Sequence, residues 1–225
     1  YMPQQSVRTF FNVSNVKRFY VKSALSILNM GFMRGLSPYF MRTNPPISEW
    51  VANLVENDPY LQKKGFTTLK EIAAVGYTNA YIEEAIKVDS PYKKMLSTLW
   101  RESPMDKIAN GERLMTMAAL LHIDTNGNSL LAELIKSSPL DAKEWLQSYL
   151  QSYLSPLLHC FYYHDMRFMP HGENLILVFR DNVPVRAIMK DIGEEVAIVN
   201  QEKELPETIK RIIINVPEDL KILSI

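Results

Sequence analysis

The chain has almost no cysteine and no excess of either charge. Cys160 is the one cysteine in 225 residues, so no intrachain disulfide can form. With no secretory segment visible, that usage fits a reducing cytoplasm. Within LLHCFYY, Cys160 reads as a core residue rather than as a nucleophile. Lysine plus arginine number 25 and aspartate plus glutamate 25, giving a formal net charge of +0. A dedicated nucleic-acid binder would show a basic excess, so nucleic acid is not an expected partner. A local basic pocket for a small anion stays open. No apolar run reaches the roughly 18 residues of a spanning helix, so no membrane segment is expected. C-x-x-C, H-E-x-x-H, G-x-G-x-x-G and the Walker A loop are all missing from the sequence. If a nucleotide binds, side chains must hold its phosphates.

What is present suffices for a real core. Hydrophobic residues make up 47% and charged residues 22%, which excludes a disordered chain. The length fits one large domain, or one with a small extension, and residues 1–225 are taken as one piece with no internal boundary. The chain opens on Tyr1 and closes on LKILSI, and it is read as a fragment of a longer protein.

Residues 5–24 read as two short strands around a polar turn, and 24–35 continue as an apolar segment. Asn44-Pro45-Pro46 is expected to stop that element, with a helix over 47–58 capped by Ser48. A short helix is expected at 78–87 and a strand at 94–101. Residues 111–124 are ambiguous between helix and strand. Asp124–Asn128 is a turn, and 129–138 is a helix. The longest helical pattern spans 141–163, with a kink expected at Pro156. Strands at 174–180 and 184–190 form a hairpin through 181–183. A further β-rich segment follows at 194–200, and 206–225 form a small α/β tail. The mixed order gives an α+β fold with an antiparallel sheet and surrounding helices.

Two groups of residues carry chemistry. Ser6, Arg8 and Thr9, with Lys22 and Arg34, combine hydroxyls, two guanidiniums and an ammonium. Ser6 and Arg8 would share a strand face, and such donors suit phosphate or carboxylate oxygens. A solvated edge strand accounts for the same residues. The second group is His171-Gly172-Glu173-Asn174, with Lys190-Asp191 on the partner strand. Positions 174 and 190 are symmetric about 182, so His171, Glu173, Asn174 and Asp191 should converge. Asn and Asp together offer oxygens to Mg²⁺, and a histidine can donate to a developing oxyanion. A polar turn closing a hairpin explains this pattern equally well. His159 and His164, five apart, do not make a clean helical metal pair, and His122 reads as a core histidine.

Taken in order, Ser6-Val7-Arg8-Thr9, Lys22, Arg34, His171-Gly172-Glu173-Asn174 and Lys190-Asp191 closely resemble the catalytic region of siderophore synthetases that work independently of peptide synthetases. This is the aerobactin-synthetase-like (IucA/IucC) family. PHGENLILVFRDNVPVRAIMKDIGEE is similar to its histidine strand, hairpin and acidic segment, and YVKSALSILNMGFMRGLSPYF to its second anion-binding segment. The resemblance runs from about residue 5 to about residue 200.

It implies a hand-like fold of fingers, palm and thumb. It also implies binding of ATP and Mg²⁺, activation of a carboxylate such as citrate as an acyl-adenylate, and attack by an amine, hydroxylamine or alcohol. By position, Ser6, Arg8, Thr9 and Lys22 would contact ATP phosphates. Arg34 would face the α-phosphate or the substrate carboxylate, and His171 would sit between those two groups. Glu173, replacing a more usual glutamine, and Asn174 would lie on the nucleotide side, with Asp191 on the metal side. Met169 stands where the family carries a glutamate associated with Mg²⁺, with Glu173 or Glu194 as the expected substitute. Met30 stands where it carries a threonine near the substrate carboxylate, which leaves room for an acid other than citrate. Relatives are longer than this chain and often dimers, so a homodimer is a possible assembly.

Two other classes compete. A kinase-like phosphotransferase would also place a histidine–glycine–asparagine loop before a hairpin and an aspartate. Kinases, however, separate the acidic residue from the asparagine, and no glycine-rich loop is present. A non-catalytic fragment that binds a ferric siderophore or a partner chain is the third reading.

Overall fold

The structure, a computed structural model, describes residues 1–29 and 31–217. Met30 and the last part of the expected α/β tail, residues 218–225, lie outside the described residues. In chain order the strands are β1 (Met2–Pro3), β2 (Thr9–Phe11), β3 (Tyr20–Ser23), β4 (Leu28–Asn29), β5 (Phe32–Met33), β6 (Thr67–Thr68), β7 (Glu71–Gly76), β8 (Ser97–Arg101), β9 (Glu112–Thr116), β10 (Met166–Arg167), β11 (Leu175–Arg180), β12 (Val183–Met189) and β13 (Ala197–Ile198). The helices are α1 (Pro38–Asn57), α2 (Pro59–Lys64), α3 (Ala80–Ala85), α4 (Leu130–Lys136), α5 (Ala142–His164) and α6 (Ile192–Glu195). The fold is α+β with antiparallel sheets; β6 pairs with β12 in parallel.

Two compact units divide the chain. The first comprises Tyr1–Trp50 and Leu69–Lys107, and the second Val51–Thr68 and Ile108–Ile225. In the first, a five-stranded sheet runs in the order β1-β2-β3-β8-β7, and Leu36, Met41 and Leu99 form a buried apolar cluster. The pairing of Tyr20 with Arg101 places the guanidinium over the tyrosine ring, 5.4 Å from its centroid. In the second unit, a four-stranded sheet runs β6-β12-β11-β9.

Helix α1 differs from expectation. It begins at Pro38, not at residue 47, and passes through Pro45 and Pro46. Interior prolines remove two backbone donors, a penalty of roughly 3 kcal/mol or more each in an isolated helix. Burial at helical spacing overrides it: Met41, Asn44, Ile47, Ser48, Val51 and Val55 are all buried. Ser48 is therefore an interior residue and not a cap; its hydroxyl accepts the Glu71 N–H at 2.8 Å. Residues 111–124 resolve into β9 and a 3₁₀ turn over Met117–Leu121. The β-rich segment expected at 194–200 starts instead as α6 and reaches strand only at β13. His122 is exposed rather than part of the core.

The β11–β12 hairpin dominates the second unit. Five consecutive residues, Leu175–Phe179, are buried, as a continuous apolar strand requires. Its loop is tighter than expected, with only Asp181 and Asn182 between the strands, at φ 51° and 63°. Two successive left-handed residues twist with the strands, and Asn and Asp tolerate that conformation better than most. Val178 pairs with Arg186 but Phe179 with Pro184, so Val185 is an extra residue, a β-bulge.

Helix α5 packs on this hairpin. A capping box between Asp141 and Glu144 starts it, and it continues through Pro156 to a left-handed C-cap at Asp165. Trp145 Nε1 donates to the Asn182 carbonyl at 2.9 Å, and Ser148 Oγ to the Pro184 carbonyl at 2.8 Å. The Asn182 side chain donates to the Ser137 hydroxyl at 3.1 Å and accepts from Arg113. Cys160 is fully buried on this helix, and burial, helped by the nearby Asp58 carboxylate, pushes its thiol up to about 12. The expected core role of Cys160 holds.

Glu112 ties three strands of the sheet. Its carboxylate meets Arg186 at 2.6 Å and Arg180 at 3.2 Å, and its side chain is only 4% exposed. Burial raises its carboxyl, but the Ala109 N–H and the two guanidiniums outweigh that and leave it below the usual glutamate range.

Two stability predictions follow from these contacts. Asn182→Gly keeps the left-handed turn and loses the side-chain hydrogen bonds; Asn182→Ala should be about 1–2 kcal/mol less stable still, because it adds a left-handed φ. Urea unfolding of both variants measures the difference. Glu112 has a lowered folded pKa, so its stabilisation is present above the ordinary glutamate value and is lost as pH falls through the folded one. Thermal melts of Glu112→Gln should therefore show a shallower decline below about pH 4.5 than the parent protein does. Parallel declines would refute that role.

Candidate functional site

The N-terminal group lies in the first unit, and a backbone feature sets it. Val7 has φ 56°, a left-handed conformation that a β-branched residue adopts only under constraint. Around it, Gln4 N–H donates to the Thr9 carbonyl at 2.8 Å, and Arg8 N–H to the Ser6 carbonyl at 2.7 Å. Residues 6–8 are therefore a tight turn, and strand β2 begins only at Thr9. Ser6 and Arg8 do not share a strand face as expected, because Val7 breaks the alternation.

The turn brings the group together by another route. Ser6 Oγ donates to Thr9 Oγ1 at 2.8 Å. Thr9 pairs directly with Lys22 across β2 and β3, and both are buried. Arg8 Nη1 donates to the Gly35 carbonyl at 2.5 Å, so its guanidinium reaches the residue after Arg34. Arg34 Nη2 donates to Asn29 Oδ1 at 2.7 Å, while its Nε is buried with no hydrogen-bond partner among the described residues. A buried guanidinium N–H without an acceptor suits an incoming anion.

The second group lies at the open end of the β11–β12 hairpin. His171 is about half exposed, at 47% of its side chain. Gly172 follows where space allows nothing larger: an added Cβ would lie 2.9 Å from the Ala118 Cβ, and Ala118 N–H donates to the Gly172 carbonyl at 2.9 Å. Asn174 N–H closes back onto the His171 carbonyl at 2.9 Å, and the Asn174 carbonyl accepts from Lys190 N–H at 3.0 Å. The expected convergence of 174 with 190 is thus present.

Lys190 Nζ bridges Asp191 Oδ2 at 2.9 Å and Asn174 Oδ1 at 3.4 Å. Asp191 sits at φ 58°, a second constrained non-glycine residue. The Asn174 amide donates to Glu195 Oε2, and His171 Nε2 stands 3.9 Å from the same oxygen. Glu195 is a carboxylate beside the histidine. Sequence reasoning missed it because α6 read as strand; as a helical turn, Asp191 and Glu195 are i and i+4. Met169 is 50% exposed, and its carbonyl accepts from Asn174 Nδ2 at 3.4 Å.

This end of the hairpin presents an imidazole, an ammonium, an amide and two carboxylates. The imidazole can donate to a developing oxyanion. A further cluster was also missed: Asp58, His159 and His164 meet in the second unit.

Comparison with known proteins places the chain in a family. Residues 1–122 match the profile described as "IucA / IucC family", and residues 143–225 match "Ferric iron reductase FhuF-like transporter". Putrebactin synthase of Shewanella sp. (strain MR-4) is 58% identical over 99% of this chain and 35% of its own length. The petrobactin biosynthesis protein AsbB of Bacillus anthracis superposes with a TM-score of 0.81 at 30% identity, covering 91% of this chain and 34% of that one. Aerobactin synthetase IucC of Klebsiella pneumoniae gives 0.79 at 26% identity, covering 94% and 36%. The chain thus spans about a third of the length of the relatives it matches. No helix among the described residues is long and apolar enough to cross a membrane. With its first 122 of 225 residues matching the profile and its fold shared with solved synthetases, the chain belongs to the IucA / IucC family.

Proposed function

We propose that this chain is a catalytic portion of an ATP-dependent synthetase of siderophore assembly, an acid–amine ligase. The observation that carries the reading is the 58% identity to putrebactin synthase, sustained over 99% of the chain. In the reaction, a substrate carboxylate oxygen attacks the α-phosphorus of ATP and pyrophosphate leaves. An amine, hydroxylamine or alcohol then attacks the acyl carbon, AMP leaves, and the nucleophile gives up its proton. Citrate or a related acid is the proposed carboxylate.

The chain's own groups suit these steps. In the first unit, Ser6, Arg8, Thr9 and Lys22 are hydrogen-bond donors for phosphate oxygens. Arg34, whose Nε is buried without an acceptor, is the proposed partner of the α-phosphate or the substrate carboxylate. In the second unit, His171 donates to the charge that develops as the carboxylate attacks. Asn174 lies on the nucleotide side, as does Glu173.

Asp191, Glu195 and Asn174 offer hard oxygen donors of the kind Mg²⁺ accepts, and Lys190 bridges Asp191 and Asn174. Asp191, with Glu195, would hold the ion. Bound there, Mg²⁺ would neutralise phosphate charge and favour pyrophosphate as a leaving group.

Full-length protein supplied with ATP, Mg²⁺ and a panel of carboxylates should release pyrophosphate and AMP only when an acid is present. ADP as the product would move the protein to phosphotransfer, and no turnover with any acid would end the ligase reading. Replacing His171 by Ala should lower kcat by roughly 100- to 1,000-fold with the circular dichroism unchanged. Arg8→Ala should act mainly through a KM for ATP raised roughly 10- to 100-fold. Near-parental kinetics in either variant would remove that residue from the mechanism.

A further inference from the structure

The second unit holds a cluster that the ligase reaction does not use. Asp58 caps α2, its Oδ1 accepting the Leu61 N–H at 2.9 Å. Its other oxygen, Oδ2, meets two imidazoles at once: His159 Nε2 at 2.9 Å and His164 Nε2 at 2.8 Å. Both histidines come from the last turns of α5. A separation of five is awkward on a regular helix, but His164 is its final residue and Asp165 turns left-handed at φ 54°. The two rings lie 5.7 Å apart, nearly edge to face.

The rings are held by more than the carboxylate. His159 is stacked between Tyr60, 4.4 Å from its centroid, and Tyr163, at 5.1 Å. Tyr60 is fixed in turn by a hydroxyl contact with Ser155 at 2.5 Å. Lys203 Nζ donates to the His164 carbonyl at 2.6 Å, which anchors the backbone that carries the second ring. Asp58 is 5% exposed, while the His159 and His164 side chains are 21% and 16% exposed, so one side of the cluster faces solvent.

We infer that Asp58, His159 and His164 form a binding site for a first-row divalent transition-metal ion of the Zn²⁺ class. Two imidazole nitrogens and one carboxylate oxygen are the ligand set such ions take, and three protein ligands leave a fourth position for water. The three atoms lie within 4.8 Å of one another, against about 3.3 Å between ligands around tetrahedral zinc. Admitting the ion means opening the 2.8 and 2.9 Å contacts by about half an ångström and drawing the two imidazole nitrogens together towards about 3.3 Å. Each imidazole then carries its proton on Nδ1 and offers the Nε2 lone pair. Asp58 keeps its cap to Leu61, because that bond uses the other oxygen. The bound ion would join the end of α5 to the start of α2, independently of ATP and of the synthetase substrates.

The test uses tag-free, full-length protein stripped with chelator, titrated with Zn²⁺ by calorimetry and with Co²⁺ by visible absorbance. One equivalent of each should bind, Co²⁺ with the bands of a four-coordinate site. His159→Gln and His164→Gln retain an amide donor toward Asp58 but are poor metal ligands, so each should weaken Zn²⁺ binding at least 100-fold while melting in chelator stays within a few degrees of the parent. If the parent shows no stoichiometric binding, or if both variants bind as it does, the trio is a hydrogen-bonded clamp and the proposal fails. If a variant unfolds, Asp58→Asn, which preserves the cap, supplies the same comparison.

Discussion

The polar end of the β11–β12 hairpin depends on the register set at its opposite end. A slip of one residue would carry Lys190 away from Asn174 and exchange the partners of every side chain along the buried run Leu175–Phe179. Two features hold the register. The left-handed pair Asp181-Asn182 defines where the chain reverses, and Asn182 is bound from three sides by Trp145, Ser137 and Arg113. The bulge at Val185 then adds one residue to β12. Without that extra residue Asn174 would face Met189, and the ammonium that bridges Asn174 and Asp191 would point elsewhere. The position of His171 thus follows from packing around a turn at the other end of two strands.

Local backbone strain marks the same places. Among the described residues, five non-glycine positions have positive φ: Val7, Asp165, Asp181, Asn182 and Asp191. Asp181 and Asn182 are explained by the hairpin turn. Val7 and Asp191 each fall inside a segment singled out for its chemistry. Asp165 directly follows His164 of the Asp58 cluster. Such residues cost of order 1–3 kcal/mol each and persist where their surroundings over-determine them. The buried pair Thr9 and Lys22 beside Val7, and the network of Lys190, Asn174 and Glu195 beside Asp191, are surroundings of that kind.

Much of this was legible in the sequence, for reasons that can be named. The apolar run 175–179 and the Asp-Asn turn announce a hairpin; a loop over 181–183, centred on 182, predicts that 174 meets 190, a pairing the structure reaches through a two-residue turn and the bulge at Val185. Hydrophobic spacing over 141–163 gives α5 almost to the residue. Proline misled where burial decided. Pro45 and Pro46 argue against a helix locally, and nothing local reveals that Asn44 and Ser48 are buried on its face. Glu195 was hidden by a wrong period, since a single helical turn is too short to show one. The meeting of Asp58 with two histidines about a hundred positions away is a tertiary fact with no local signal, apart from the proline after Asp58 that marks a helix start. The left-handed Val7 was invisible for a similar reason, because β-branched residues argue for strand.

The hairpin's tight turn also has a consequence in time. β11 and β12 are neighbours in sequence, and a hairpin of this kind closes within roughly 1–10 μs. β9 pairs with the other side of β11 through Thr116 and Ile176, positions 60 residues apart, and it can dock only after that long loop has closed. The Asn174–Lys190 end of the site is therefore expected to exist, as a local structure, before the strand that completes its sheet arrives. Gly172 is pinned against Ala118, in the turn that follows β9, so the loop carrying His171 is expected to settle last. The residue nearest the proposed chemistry would then be the one whose placement waits longest on the rest of the unit.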